Sequence, residues 1–520
     1  MKKAERRSRL QYSMLNTMTA WTDQVLNLIL RFVSRTVFIW CLDVEYLGVN
    51  GLFSNILTLL SLAELGVGTA ITFSMYRPIA EKKEDEVIAL LQLYKKTYIT
   101  IGLVMLIIGA SITPVLDWFI KDMPDIPEIS AIYLLYLLNS VISYFFSYRI
   151  SFIIANQRRY IVNIVHSLTQ LFVIGIQVVI LLLTKNFILY LVVQIIGTFL
   201  ENVIESQIVV REYPFVKTKK KYQLDRTTFH SIVKNIGAMV LHRFGSVAVF
   251  ATDNMILSKM IGLVSVGIYS NYSLVVTSLT NITRQFFISI TSSVGNLNVE
   301  KQGKDLKETF GKVFFFGAWM YAFCSICCLV LFNSFIELWI GKDYLLEMPV
   351  VFVIVFNFFL TGMRQAGGTF IEALGLFWYN RFAPLIEAPL NLISSIIFVK
   401  CFGMIGVFLG TALSTLCVCM LSEPYVLYKY GLKRPLRTYY IMYVKYTAAV
   451  FLIGAITMVL CSVGILGRGG IGSFILKMLI CAVVPNVLWY LLFRKTEECV
   501  YFVNLFKGIL DKMGKKFVRG

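Results

Sequence analysis

The chain alternates long apolar runs with short polar connections. A run of about 20 apolar residues is needed to cross about 30 Å of hydrocarbon. Fourteen stretches meet that test, at residues 22–41, 47–76, 98–120, 129–154, 160–183, 186–210, 234–258, 264–291, 311–339, 349–375, 380–400, 404–428, 440–466 and 471–493. The runs are continuous, whereas barrel strands alternate over about 10 residues, so the pattern predicts helices. The expected fold is all-α: a polytopic membrane protein of about 14 transmembrane helices. The first run is the least apolar, because Arg31 and Arg35 interrupt it.

The longest polar connection, Arg211 to Lys234, contains Pro214 and a lysine run at 217, 219, 220 and 221. It reads as a basic cytoplasmic linker over 211–233, between an N-lobe of spans 1–6 (1–210) and a C-lobe of spans 7–12 (234–430). Spans 13 and 14 and a basic cytoplasmic tail fill 431–520. A repeat supports the division. At an offset of 219 residues, Gly48, Thr58, Leu60, Ile71, Thr72, Ser74, Glu81 and Lys82 pair with Gly267, Thr277, Leu279, Ile290, Thr291, Ser293, Glu300 and Lys301. Six spans separate the halves, so both enter the membrane the same way round. Two parallel six-helix repeats plus two C-terminal helices are a transporter architecture, with substrate held between the lobes.

Composition sharpens this reading. With 57% hydrophobic and 15% charged residues and a mean hydropathy of +0.72, the chain is not a soluble globular protein. The formal net charge of +19 would suit nucleic acid, but the basic residues collect in alternate connections. Lys2, Lys3, Arg6, Arg7 and Arg9, then Lys82, Lys83, Lys95 and Lys96, then Lys433, Arg434 and Arg437, and finally Lys512, Lys515 and Lys516 fall on one side. The other side carries only Lys121, Lys185, Lys259, Lys342, Lys400 and Arg468. By the positive-inside rule both termini are cytoplasmic, and the surplus charge faces anionic bilayer lipid rather than nucleic acid. No cleavable leader is legible in Met1–Trp21, so the first span is expected to act as its own insertion signal. Most of the ten cysteines lie inside apolar runs, among them Cys324, Cys327, Cys328, Cys417, Cys419, Cys461 and Cys481, and read as small core residues. With three histidines, no glycine-rich phosphate loop and no base beside a nucleophile, no catalytic, metal or cofactor site is expected.

Three segments resemble one family. Tyr46–Tyr76, YLGVNGLFSNILTLLSLAELGVGTAITFSMY, looks like its second span, and Thr252–Leu274, TDNMILSKMIGLVSVGIYSNYSL, like its seventh-to-eighth hairpin. Phe335–Tyr344, FIELWIGKDY, resembles the exit of its ninth span. The family is the polysaccharide transporter family of the multidrug, oligosaccharidyl-lipid and polysaccharide flippase superfamily. The resemblance implies a flippase in the bacterial inner membrane, moving undecaprenyl-pyrophosphate-linked oligosaccharide for lipopolysaccharide O-antigen, capsule or exopolysaccharide. It also implies partnership with a polysaccharide polymerase and chain-length machinery. Alternatives are a cation-coupled multidrug antiporter of the same superfamily and a membrane polysaccharide polymerase. The short external connections speak against the polymerase.

An arginine at mid-bilayer costs about 2.5–3.5 kcal/mol on insertion scales, so those retained within spans need a wet cavity or a partner. Six are so placed: Arg31, Arg35, Arg149, Arg243, Arg284 and Arg364. An arginine fork matches phosphate oxygens bidentately and stays charged, so these six are the candidate substrate-binding residues of a cationic cavity. Arg149 also lies close enough to Arg158 and Arg159 to snorkel, and Arg364 precedes Glu372 by two turns, a candidate structural pair. Glu64, Asp253 and Glu372 are the candidate H⁺ or Na⁺ coupling sites, drawn from a wider set that includes Asp23, Glu201, Glu205 and Glu387. Lys477 and Glu423 read as interfacial.

Overall fold

A computed structural model describes residues 9–517, apart from 65–66, 219, 221, 223, 227–228, 231, 234–251, 301–303 and 463–469. All regular structure among the described residues is helical. The chain divides into two compact units, Met1–Gly267 and Ile268–Gly520.

The first unit holds α1 (Arg9–Cys41), α2 (Val44–Leu60), α3 (Val67–Glu81), α4 (Glu84–Ile112), α5 (Ile129–Ile142), α6 (Ser147–Ala155), α7 (Arg159–Thr184) and α8 (Phe187–Glu212). A short helix, α9, follows over residues 252–260. Local chemistry sets the ends. Glu84, Asp85 and Glu86 crowd the first turn of α4, where the helix dipole favours negative charge. The Asn186 side chain caps α8 by accepting from the Leu189 N–H at 3.0 Å. Between α7 and α8, Lys185 takes a left-handed conformation with φ 52°.

The second unit continues α10 (Leu263–Glu300) and adds α11 (Lys304–Ile340), α12 (Met348–Ala373), α13 (Ala383–Phe402) and α14 (Met404–Ser414). The last runs through a π-helical turn, Thr415–Cys419, into α15 (Met420–Val426), and α16 (Arg437–Ser462), α17 (Ile471–Phe493) and α18 (Glu497–Phe517) follow. Gly403, at φ 64° and ψ −140°, makes the single-residue reversal from α13 to α14 that a side chain would resist. Gly406 and Gly410 then seat α14 against α13: a Cβ on either would lie within 2.2 Å of Phe398 O or Ser395 Oγ. Small residues four apart permit such close helix contact in a membrane.

Among the described residues eleven helices are long and apolar enough to cross a membrane, or twelve if the α5–α6 pair, bent by 50°, counts as one span. The run at 47–76 is broken into α2, a 3₁₀ turn over Ser61–Glu64, and α3. The run at 234–258 lies mostly outside the described residues. The helices carry large exposed apolar side chains, including Ile107, Phe172 and Leu183 at 66%, 68% and 79% exposure, which need lipid rather than water as their solvent. Three of the cysteines read as core residues behave otherwise: Cys417 is exposed and Cys324 and Cys327 are half-buried, while Cys328, Cys419, Cys461 and Cys481 are buried.

The C-terminal spans are not peripheral. Tyr446 of α16 and Trp489 of α17 meet at 5.9 Å between ring centroids, and Phe315 of α11 packs on both. The basic tail continues as the amphipathic α18, which lays Phe502 on Phe315 and Phe316 and Tyr501 beneath the Lys312 ammonium at 4.1 Å.

The repeat has a structural counterpart within the first unit. Val44 and Leu263 are 219 residues apart, as are Gly48 and Gly267. A Cβ on Gly48 would stand 2.2 Å from Leu263 O, and one on Gly267 would stand 2.5 Å from Val44 O. The contacts are reciprocal, as contacts across a two-fold axis are. The atoms in the way are backbone, which cannot turn aside. Gly48→Ala is expected to lower stability by about 1–3 kcal/mol, in the range of overpacked cores, and Gly267→Ala to do the same. The double variant should lose less than the sum, since both disturb one contact. Thermal unfolding in detergent measures this, and an unchanged midpoint in either single variant would refute the contact.

Candidate functional site

Polar side chains lie along the apolar helices in a regular pattern. On α1, Asn16, Thr19 and Asp23 recur every three or four residues, and each meets a residue 144 positions later on α7. Asn16 Oδ1 accepts from the Tyr160 N–H at 2.8 Å, Thr19 Oγ1 from Asn163 Nδ2 at 3.1 Å, and Asp23 Oδ1 from Ser167 Oγ at 2.7 Å. A constant offset means the two helices run parallel, joined by a polar seam of the kind that holds helices together in lipid. Asp23 also accepts from Asn27 Nδ2 at 2.8 Å and so belongs to this seam.

Next to Ser167, His166 faces α8. Its Nδ1 lies 2.8 Å from Glu201 Oε1. One turn further along α8, Glu205 is 2% exposed and its Oε1 has no hydrogen-bond partner among the described residues. Arg149, on α6, donates from Nη1 to the Ser206 hydroxyl and stands over the Tyr148 ring at 5.2 Å. Its Nε is buried without a hydrogen-bond partner among the described residues.

Arg31 and Arg35 differ although they are one turn apart. Arg31 is exposed and forms no ion pair among the described residues, whereas Arg35 is half-buried, with the phenols of Tyr136 and Tyr190 as electrostatic neighbours. Those phenols are themselves anchored, Tyr136 to Asn50 Oδ1 at 2.8 Å and Tyr190 to Ser34 Oγ at 3.3 Å. Glu64 accepts from the Tyr98 hydroxyl at 2.6 Å. Tyr98 stacks on Tyr94 at 4.4 Å, and Tyr94 reaches Ser151 at 2.8 Å. Gly68 leaves room for both phenols, since a Cβ there would lie 2.2 Å from the Tyr98 oxygen.

In the second unit Arg364 is neutralised. Its Nε and Nη2 donate to the Glu423 carboxylate at 3.1 and 2.6 Å, and its Nη1 lies 3.6 Å from Glu387. Thr415, in the π-helical turn, donates to Glu387 at 3.3 Å. Glu372 is not the partner expected for Arg364: it is exposed, near the end of α12. Nor is Glu423 interfacial, since it is bound within the bundle. Arg284 is exposed on α10 without an ion pair among the described residues, beside the buried Thr283, which is 2.9 Å from the Tyr321 hydroxyl. Asp253 is buried in α9, 6% exposed. Arg243 lies outside the described residues.

A further basic site was not expected. A cavity of about 690 Å³ in the first unit is lined by Lys96, Arg226, His230, Gln92 and Tyr222. The linker folds over α4 there: Gln92 Nε2 donates to Lys220 O at 2.6 Å. His166 was also passed over, since histidine was weighed only as a catalytic or metal residue. Its place in an apolar run four residues before Gln170 carried no pointer to Glu201, which comes from another helix.

A bundle of apolar helices with ionisable side chains held inside its spans is the construction of a membrane transporter. Residues 14–294 match the family described as polysaccharide biosynthesis protein, and the chain belongs to that family. No curated protein matches by sequence. Among solved structures, the lipid II flippase MurJ in an inward closed conformation aligns with a TM-score of 0.64 at 15% identity, over 92% of this chain and 99% of its own. An inward-facing multidrug resistance MATE transporter aligns with a TM-score of 0.59 at 14% identity, over 78% and 94%. A transporter from Pyrococcus furiosus, described as having a binding pocket of reverse polarity that suggests a different function, aligns with 0.55 at 14%, over 82% and 96%. These likenesses establish a shared helical fold.

Proposed function

We propose that the protein flips an undecaprenyl-pyrophosphate-linked oligosaccharide from the cytoplasmic to the outer leaflet, for assembly of O-antigen, capsule or exopolysaccharide. The observation that carries this reading is the sorting of the intramembrane arginines. Arg364 is cancelled by Glu423 and Glu387, whereas Arg31 and Arg284 are exposed on their helices with no carboxylate among the described residues. An uncancelled arginine within a span belongs in a wet cavity that receives an anion. A diphosphate supplies that charge and the oxygen geometry the guanidinium fork matches. In an alternating-access cycle the arginines grip the headgroup on whichever side is open, and the apolar tail stays in lipid. A coupling ion, H⁺ or Na⁺, supplies direction, and a polymerase with its chain-length machinery consumes the product.

The test is deletion of the gene. Lipid-linked oligosaccharide should accumulate on the cytoplasmic leaflet, with sensitivity to cationic dyes and drugs unchanged, because a cationic cavity repels them. Normal lipid-linked pools together with new dye sensitivity would overturn the assignment in favour of a multidrug antiporter.

A further inference from the structure

We propose that Glu205, with the His166–Glu201 pair beside it, is the proton-carrying site of the transport cycle. The inference rests on the transport reading above, and its first measurement stands apart from that reading.

Glu205 lies seven residues from the end of α8 at Glu212, about 10 Å along the axis at 1.5 Å per residue, and so within the hydrocarbon. It is 2% exposed, and Oε1 has no hydrogen-bond partner among the described residues. The groups around it come from every helix packed on α8. From α7 comes His166, held by Glu201 at 2.8 Å. From α6 comes Arg149, committed to Ser206. From the turn that follows α5 comes the neutral Ser143, whose hydroxyl accepts from Asn202 at 3.3 Å. Asp23 of α1 acts on His166 from further away and is satisfied by Ser167 and Asn27. At the end of α8, Glu212 pairs with Arg158. The cluster thus holds two adjacent carboxylates, Glu201 and Glu205, and one imidazole.

One imidazolium can balance one carboxylate. A second buried carboxylate, in no ion pair and with one oxygen lacking a hydrogen bond among the described residues, bears a desolvation penalty that nothing offsets at that oxygen. A proton on Oε1 cancels the charge and turns an unmatched acceptor into a donor. The buried arrangement then suits the proton-loaded carboxyl, and unloading suits a conformation in which water reaches it. That difference is what couples a proton to a conformational change. The balance is simple: an O–H bond forms at Glu205 with a proton from water on the outer face and breaks to water on the cytoplasmic face, with no other atom exchanged. The imidazole favours a proton over Na⁺, since it is basic but a poor ligand for a hard cation that prefers oxygen. Glu64, by contrast, is engaged by Tyr98, and Glu372 is exposed.

Infrared difference spectroscopy of the purified protein in lipid vesicles, cycled between acid and alkaline buffer, reads the site directly. The wild type should show a pH-dependent carboxylic C=O band that is lost in Glu205→Gln, shifted in Glu205→Asp and in His166→Asn, and retained in Asp23→Asn. A spectrum that Glu205→Gln leaves unchanged overturns the proposal. A second arm follows flux of undecaprenyl pyrophosphate in the same vesicles under an imposed pH gradient. Loss of the response to the gradient in Glu205→Gln and Glu201→Gln supports the site. Wild-type flux driven by Na⁺ and indifferent to the pH gradient overturns it. If the wild type shows the band but moves no undecaprenyl pyrophosphate, the lipid reading fails and the proton site stands.

Discussion

Arg31→Ala and Arg284→Ala should each abolish export of surface polysaccharide while the protein inserts at its normal level. Both residues are exposed on apolar helices. Removing either guanidinium lifts an insertion cost of about 2.5–3.5 kcal/mol, so folding has nothing to lose. Substrate binding does. Truncating one partner of a desolvated charge pair costs about 2–5 kcal/mol, roughly thirtyfold or more in headgroup affinity at 1.4 kcal/mol per tenfold. Arg31→Lys and Arg284→Lys should recover part of the activity, because lysine restores the charge but not the bidentate fork. The checks are the protein level in membranes, the surface polymer, and the lipid-linked pool on the cytoplasmic leaflet. Normal polymer in either alanine variant removes that arginine from the site.

Arg364→Ala should behave in the opposite way, as a defect of folding. Its guanidinium ties α12 to α13 through Glu387 and to α15 through Glu423. Both carboxylates lie inside the second unit, with side chains 7% and 15% exposed. Breaking a buried pair by removing one partner typically costs about 3–5 kcal/mol, because the charge left behind has neither water nor a counter-ion. Arg364→Ala should therefore lower the thermal midpoint and the yield of purified protein. Adding Glu423→Gln and Glu387→Gln should restore much of the loss, since the triple variant buries no uncompensated charge. Unchanged stability in Arg364→Ala would show that the cluster is not structural and would return Arg364 to the substrate cavity.

The two outcomes divide three arginines that look alike as letters. In the sequence each is a cation inside an apolar run, and hydropathy measures only the cost of putting it there. Whether that cost is met by a carboxylate, a hydroxyl or a ligand depends on residues far away in the chain. Glu423 is 59 positions from Arg364, Ser206 is 57 from Arg149, and Glu201 is 35 from His166. No periodicity within one helix reports such pairs, because they are fixed by how helices pack. The same limit led Glu372, two turns along α12, to be weighed as the partner of Arg364 when Glu423 of another helix holds it. Glu64 is a similar case: the acid is visible in Ala63-Glu64-Leu65-Gly66, but the Tyr98 hydroxyl that binds it comes from α4.

Much was legible from the chain alone, for a reason specific to lipid. Backbone groups in hydrocarbon must bond within their own segment, so an apolar run of sufficient length is a helix whatever its neighbours do. The helical class followed from that local rule, as did most span positions. Gly48 and Gly267 stand out in the chain as identities at an offset of 219. Only the folded chain decided that these two glycines meet near Val44 and Leu263, that the run at 47–76 breaks at Ser61–Glu64, and which charges cancel. Those features depend on distances between helices, and in lipid such distances are set by close packing and a few polar contacts rather than by hydrophobicity. The sequence by itself determined that this chain is a bundle of apolar helices fit for a membrane; the tertiary structure decided which buried charges are paired within the fold, as Arg364 is by Glu423 and Glu387.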